Sequence, residues 1–227
     1  STLEQAGIET KGIVTDSSVF TTLAFVTFDE HGDRSFSFAR KPGADTCLRP
    51  EELNAAVLDS CRVLHVGSLS LTDEPARSAT FAAVERAKAA GAVISYDPNY
   101  RAALWPDAET AARHMRGMVP YVDVMKLSDE ETALLTDESD PAAAAAVLLA
   151  QGVKCAAVTL GAEGALVATA SGMRHVPGFA VNAVDTTGAG DAFWGGFLHR
   201  MLALGKAPEA LTVDDVADCA RWGNATA

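Results

Sequence analysis

From about residue 51 onward the chain alternates short, continuously apolar runs with longer stretches of helical periodicity. RVLHVGSLSL, AVISYDPN, VDVMKLS and KCAAVTLG read as strands. PEELNAAVLDS, EPARSATFAAVERAKAAG (closed by Gly91), AETAARHMRGMVPY, DEETALLT and DPAAAAAVLLAQG read as helices between them. A strand apolar along its whole length is buried on both faces, and such strands separated by helices make a parallel sheet. The expectation is an α/β fold, a central, mostly parallel sheet flanked by helices. The polar clusters GSLS, DPNYR, KLSDEE, TLGAEG and DTTGAGD each follow a strand, at the carboxyl edge where such sheets bind ligands. A hairpin, GALVATASGMRHV, leads to DTTGAGD, and a long helix follows over about 189–205.

Residues 12–40 behave differently, because only there does hydrophobicity alternate with a period of two. GIVTDSSVFTTLAFVTFDEHGDRSFSFAR reads as two or three strands, with Glu30-His31-Gly32-Asp33 turning between the long pair. LAFVTF and RSFSFA are expected to place their aromatics on one face. A sheet this small cannot bury both faces alone, so it should cover another part of the protein or pair with a second copy.

Composition narrows the function. The 227 residues, 48% hydrophobic, suffice for a real core. A formal charge of −12 leaves no basic field for nucleic acid or an anionic membrane surface, though a small phosphorylated ligand needs only local donors. Cys47, Cys61, Cys155 and Cys219 form no CxxC pair, and the five histidines show no ligand spacing. Free thiols in a reducing compartment fit better than a disulfide scaffold or a zinc site. No signal peptide and no membrane-spanning run is visible, so the expected location is the cytoplasm. The opening STLEQAGIE reads as the tail of a helix and RWGNATA stops within another, which reads as a piece of a longer chain.

DTTGAGD carries the sharpest chemistry. With a helix starting at Ala189, the amides of Gly188, Ala189 and Gly190 have no intrahelical acceptor and point outward at the positive end of the helix dipole, a ready anion site. Asp191 beside them would repel a bound phosphate unless a reactive group stands between. A substrate hydroxyl meets that need, giving its proton to Asp191 while the amides steady a transferred phosphoryl group. The same turn reads equally well as a helix cap with permissive glycines.

DTTGAGDAFWGGFL resembles the C-terminal signature of the ribokinase-like (PfkB) sugar kinases, and the resemblance runs from about residue 7 to residue 226. ISYDPNYRAALWP, VMKLSDEE and RSFSFARKPGAD are most similar to the fructokinases of that family. It implies that Asp191 is the catalytic base and that Gly188, Ala189 and Gly190 are the anion hole. It implies an ATP-dependent transfer of the γ-phosphoryl group to a sugar hydroxyl, fructose first, with 2-keto-3-deoxygluconate, ribose or a nucleoside as sister substrates. Asp185 and the Thr187 carbonyl match positions that hold K+ in many members, although Asp185 reads equally as a turn acid. TLGAEGAL matches the nucleotide loop, with Thr159, Gly161 and Gly164 near the phosphates of ATP, and Asn224 matches a residue beside the adenine.

Glu131 of KLSDEE fills the place of an acid that orients Mg2+ through water. Ser128 stands where many members have Asn, and Glu131 reads also as a first-turn acid complementing its helix dipole. In DPNYR, Asp97 and Asn99 are expected to support the magnesium and phosphate region. Arg101 is expected at the phosphate or the sugar, because a guanidinium suits bidentate anion recognition.

The resemblance divides the chain into a β-sheet lid, 12–46, with Arg40 at the mouth of the sugar site, and an α/β core, 1–11 and 47–227. That core lacks the family's N-terminal sugar-binding segment and its last helix and strand, so the 227 residues alone are expected to have little activity and a full parent to be active. Paired lids imply a homodimer. His65, His175 and the tryptophans Trp105, Trp194 and Trp222 read as structural. A non-catalytic sugar- or nucleotide-binding relic is the other reading, against which an intact Asp191 counts. A nicotinamide enzyme is disfavoured because no GxGxxG follows an early strand.

Overall fold

A computed structural model of the chain describes residues 2–28, 34–182 and 185–227. In chain order the elements are α1 (Thr2–Gln5), β1 (Leu23–Phe28), β2 (Arg34–Ala39), α2 (Ala55–Ser60), β3 (Val63–Gly67), α3 (Ala76–Ala89), β4 (Val93–Asp97) and α4 (Ala108–Met118). There follow β5 (Val124–Ser128), α5 (Asp129–Thr136), α6 (Pro141–Ala150), β6 (Cys155–Thr159), β7 (Ala165–Thr169), β8 (Gly172–Val176), α7 (Ala189–Leu204) and α8 (Val213–Thr226). The chain gathers into two compact units, residues 1–94 with 100–114, and residues 95–99 with 115–227.

Strands β3 to β8 form one sheet in sequence order. β4 runs parallel to β5, and β5 to β6, while β7 is antiparallel to both β6 and β8. The sheet is therefore mixed. Its parallel part is made of the mainly apolar runs, with the first four residues of both β5 and β6 buried, Lys126 among them. Its antiparallel part is the hairpin expected from GALVATASGMRHV.

In the first unit, α3 buries Ala76, Ala79, Thr80, Ala83, Val84 and Ala87, a stripe at helical spacing made of small side chains. PEELNAAVLDS makes a 3-10 turn over Pro50–Glu52 and is α-helical only from Ala55, because the Asn54 side chain accepts the Val57 amide and starts the helix there. The apolar run after β3 leaves the strand at Gly67 and makes a short 3-10 turn over 69–71.

The hairpin of the first unit has two strands, and among the described residues no third strand precedes it. Its register pairs Ala24 with Phe38 and Phe25 with Ser37. Phe25 and Phe38 thus fall on opposite faces, which corrects the expectation of a single aromatic face. Alternation within each strand was plain, but the face each strand presents depends on the pairing register. The turn Glu30-His31-Gly32-Asp33 lies outside the described residues.

In the second unit, α5 starts at a capping box in which Glu131 Oε2 accepts the Ser128 amide at 2.8 Å. It ends at Asp137, held at φ 65°. Asp140 caps α6, accepting the Ala143 amide at 2.8 Å, with Pro141 in the first helical position. Near the start of α7, Trp194 is buried and donates from Nε1 to Ser95 Oγ of β4 at 2.8 Å, which docks the helix on the sheet. Among the described residues no helix is long and apolar enough to cross a membrane.

Candidate active site

The site begins at the turn into α7. Gly188 sits at φ 79°, a left-handed conformation that favours glycine, and redirects the chain into the helix. Ala192 donates its amide to the Gly188 carbonyl at 2.8 Å, closing the first turn. Ala189 donates to the Thr186 carbonyl at 3.2 Å, so of the three amides expected to be open, this one serves the turn. Among the described residues the amides of Gly188 and Gly190 have no hydrogen-bond acceptor. Asp191 is exposed beside them, and its Oδ1 accepts from Asn99 Nδ2 at 3.4 Å. A positive helix end, two open amides and a solvent-facing carboxylate thus share one helical turn.

Next to this turn lies a buried ion pair that the sequence reading missed. Lys126 Nζ donates to Asp97 Oδ2 at 2.8 Å, with side-chain exposures of 7% and 4%. A Cβ added to Gly190 would stand 3.1 Å from that ammonium. Burial raises the Asp97 carboxyl to about 6, against the opposing pull of Lys126, and the nearby Glu131 charge adds to the rise. Burial, with Glu131 and Asp97, also pushes the Tyr96 hydroxyl well up. The signal for this pair was present in VMKLS. A lysine within an otherwise fully apolar strand must find a counter-charge when the strand is buried.

Several expected site residues have hydrogen-bond partners within the protein. Asp97, expected to support the magnesium and phosphate region, is 3% exposed, with Oδ2 on Lys126 and Oδ1 accepting the Asn99 amide at 3.1 Å. Its carboxylate faces the protein. Glu131 is 7% exposed, and its Oε2 accepts from both the amide and the hydroxyl of Ser128. Asp185 Oδ1 accepts the Thr187 amide at 2.8 Å, closing an Asx turn on the exposed approach to α7. Asn224 Nδ2 donates to the carbonyls of Val176 and Pro177, at 3.2 and 3.0 Å, and so ties α8 to the chain after β8.

Thr159 ends β6, with Oγ1 donating to the Leu127 carbonyl at 3.4 Å. Gly161 opens onto space, whereas a Cβ on Gly164 would meet the Val176 carbonyl oxygen at 2.2 Å. Gly164 is thus required by its neighbour strand, independently of any ligand. His175 donates from Nε2 to the Glu163 carbonyl at 2.8 Å and holds the same loop. Of the tryptophans, Trp105 and Trp194 are buried, while Trp222 is 47% exposed beneath the Arg200 guanidinium.

In the first unit Arg101 is half-buried and donates to the Tyr100 carbonyl at 3.0 Å. Arg40, expected at the mouth of a sugar site, is 8% exposed and fully engaged. It donates to Asp45 at 2.7 Å, to Thr72 Oγ1 at 2.7 Å and to the Leu69 carbonyl at 2.8 Å. Its guanidinium fastens the end of the hairpin to residues 69–72. It also forms one wall of a cleft of about 790 Å³ lined by Phe20, Phe38, Lys41, Asp73 and Trp105 among others. None of Gly188 to Asp191 lines that cleft.

Among the described residues no three His, Cys, Asp or Glu side chains converge to hold a bare metal ion.

An α/β sheet followed by a helix that starts with two open amides and an exposed carboxylate offers the geometry of an anion site. Residues 1–227 match the pfkB family carbohydrate kinase. The chain belongs to that family. It is 46% identical over 202 residues to probable fructokinase-4 of Arabidopsis thaliana, covering 88% of this chain and 62% of that relative. The chain therefore spans less than two thirds of that relative's length. The fructokinase of Vibrio cholerae O395, solved with fructose, ADP and calcium ion bound, superposes with a TM-score of 0.84 at 35% identity, covering 98% of this chain and 71% of that one. The fructokinase of Xylella fastidiosa with bound ATP gives a TM-score of 0.87 at 34% identity, over 98% and 71% of the two chains.

Proposed function

We propose that the protein transfers the γ-phosphoryl group of ATP to a hydroxyl of a sugar, and that the sugar is fructose. The observation that carries this reading is the first turn of α7, where exposed Asp191 stands beside the open amides of Gly188 and Gly190. Asp191 takes the proton of the attacking hydroxyl, and the amides hold the oxygens of the moving phosphoryl group, with Ala189 completing the turn that aims them. Phosphoryl transfer asks little more of a protein than this positioning and charge compensation.

Thr159, Gly161 and Gly164 are assigned to the nucleotide loop, and Asn224 to the wall beside the adenine. A magnesium ion, if carried in with the nucleotide, would supply positive charge to the transferring phosphate. Glu131 would reach it through water, and Asp185 with the Thr187 carbonyl would hold a potassium ion beside the turn. Arg101 is assigned to anion recognition on the chemistry of its guanidinium. We assign residues 12–46 to a lid that covers the sugar and pairs with the lid of a second copy, and residues 1–11 with 47–227 to the core. We place the protein in the cytoplasm, a reading supported by its four free cysteines.

The choice of fructose rests on the names of the related proteins. A panel of sugars offered to the whole protein, read by ADP release, tests it, and preference for an acid sugar overturns it. Asp191→Asn tests the chemistry. Turnover should fall by about 10²–10⁴-fold while ADP binding measured by calorimetry stays within threefold of wild type. Retained turnover removes Asp191 as the base.

A further inference from the structure

We propose that Lys126 is a positioning residue for phosphoryl transfer, fixing Asp191 and the open amides of α7 through its buried ion pair with Asp97 and its close approach to Gly190. The inference rests on the reading of Asp191 as the base.

Lys126 lies in β5 between Met125 and Leu127, both fully buried, and is itself 5% exposed. A buried ion pair is poor evidence for stability, since apolar side chains of similar volume often replace one without loss. Its geometry supplies the reason for it here. On one side the ammonium stands 3.1 Å from where a Cβ on Gly190 would be, so only glycine leaves the lysine undisturbed. That puts a fixed positive charge against the turn that carries the two open amides, where an anion would gain from it.

On the other side runs a chain of contacts. Lys126 Nζ reaches Asp97 Oδ2 at 2.8 Å, Asp97 Oδ1 accepts the Asn99 amide at 3.1 Å, and Asn99 Nδ2 reaches Asp191 Oδ1 at 3.4 Å. Asn99 is held at φ 46°, in the left-handed region that a residue other than glycine seldom occupies. Such backbone strain persists where its surroundings over-determine it, and here the Asp97 carboxylate supplies the hold. Both routes from Lys126 end on one helical turn, one at Gly190 and one at Asp191.

The test compares kcat, KM and ADP affinity in the whole protein. Removing one charge alone would leave the other buried and unpaired, so the informative variant is the double Asp97→Asn with Lys126→Met. It should fold, with an unchanged circular dichroism spectrum, and lose at least tenfold in kcat with fructose, while KM for ATP and calorimetric ADP affinity stay within threefold. A folded double variant with kcat within twofold of wild type overturns the proposal.

Asn99→Gly keeps the left-handed backbone and the buried pair but removes the contact to Asp191. It should lower kcat at least fivefold with the same unchanged ADP affinity, and it decides alone if the double variant does not fold. Unchanged kcat in Asn99→Gly then overturns the relay. Asp191→Asn separates the two readings. If it retains turnover the base assignment fails. If it collapses while the double variant and Asn99→Gly turn over normally, only the positioning role fails.

Discussion

Gly190 shows how one missing side chain can serve two demands. It lies in the first turn of a regular helix, where alanine costs nothing in backbone geometry and stabilises by up to about 1 kcal/mol relative to glycine. Against that gain stands the Lys126 ammonium, 3.1 Å from the new methyl group and pinned by Asp97. A free lysine would swing aside, but this one can yield only by loosening the pair. Gly190→Ala should therefore leave the thermal midpoint within a few degrees of wild type and still lower turnover at least tenfold. Calorimetry and a coupled ADP assay check both halves. A variant with normal turnover would mean that the ammonium moves at no cost to the site.

Among the elements, α8 offers the clearest electrostatic test. Thr212 and Asp215 form its capping box, with Asp215 Oδ2 accepting from the Thr212 amide at 2.9 Å and from its hydroxyl at 2.8 Å. Lys206 Nζ lies 2.7 Å from both oxygens of the same carboxylate. The lysine and these donors hold Asp215 down to about 2. A carboxyl lowered on folding stabilises above its ordinary value near 3.8, and that contribution fades as the pH falls toward 2. Asp215→Asn should cost about 1 kcal/mol at pH 7, the usual worth of a cap. The gap to wild type should narrow steadily below pH 4 in urea titrations. A gap independent of pH would show that the charge plays no part.

The legible and illegible parts of this protein divide along sequence distance. Helix α5 was read to the residue as DEETALLT, because Ser128 and Glu131 of its cap are three apart and belong to the same short string. The α7 turn was legible for the same reason. The Lys126–Asp97 pair joins residues 29 apart. Arg40 finds Thr72 across 32 positions. Neither partner marks the other in sequence, so Asp97 and Arg40 are each expected at a ligand, while the packed protein gives them partly to itself. The faces of the hairpin failed similarly, since Phe25 and Phe38 are separated by a pairing register that alternation alone cannot supply.

At the scale of the whole molecule the open question is what covers that hairpin. Among the described residues β1 and β2 form a two-stranded sheet, marginal on its own, with edges that no other strand pairs. Leu23 and Phe25, two apart on one face, are 52% and 53% exposed, and Val26 on the other face is 43% exposed. A second copy of the same hairpin satisfies both needs, because a two-fold axis sets each apolar face against its own counterpart. Light scattering should therefore give twice the chain mass at micromolar concentration. Replacing Leu23 and Phe25 together by glutamate should give a single chain mass with the circular dichroism spectrum intact, since those side chains are exposed in the chain by itself. A wild-type protein that scatters as one chain would overturn the dimer.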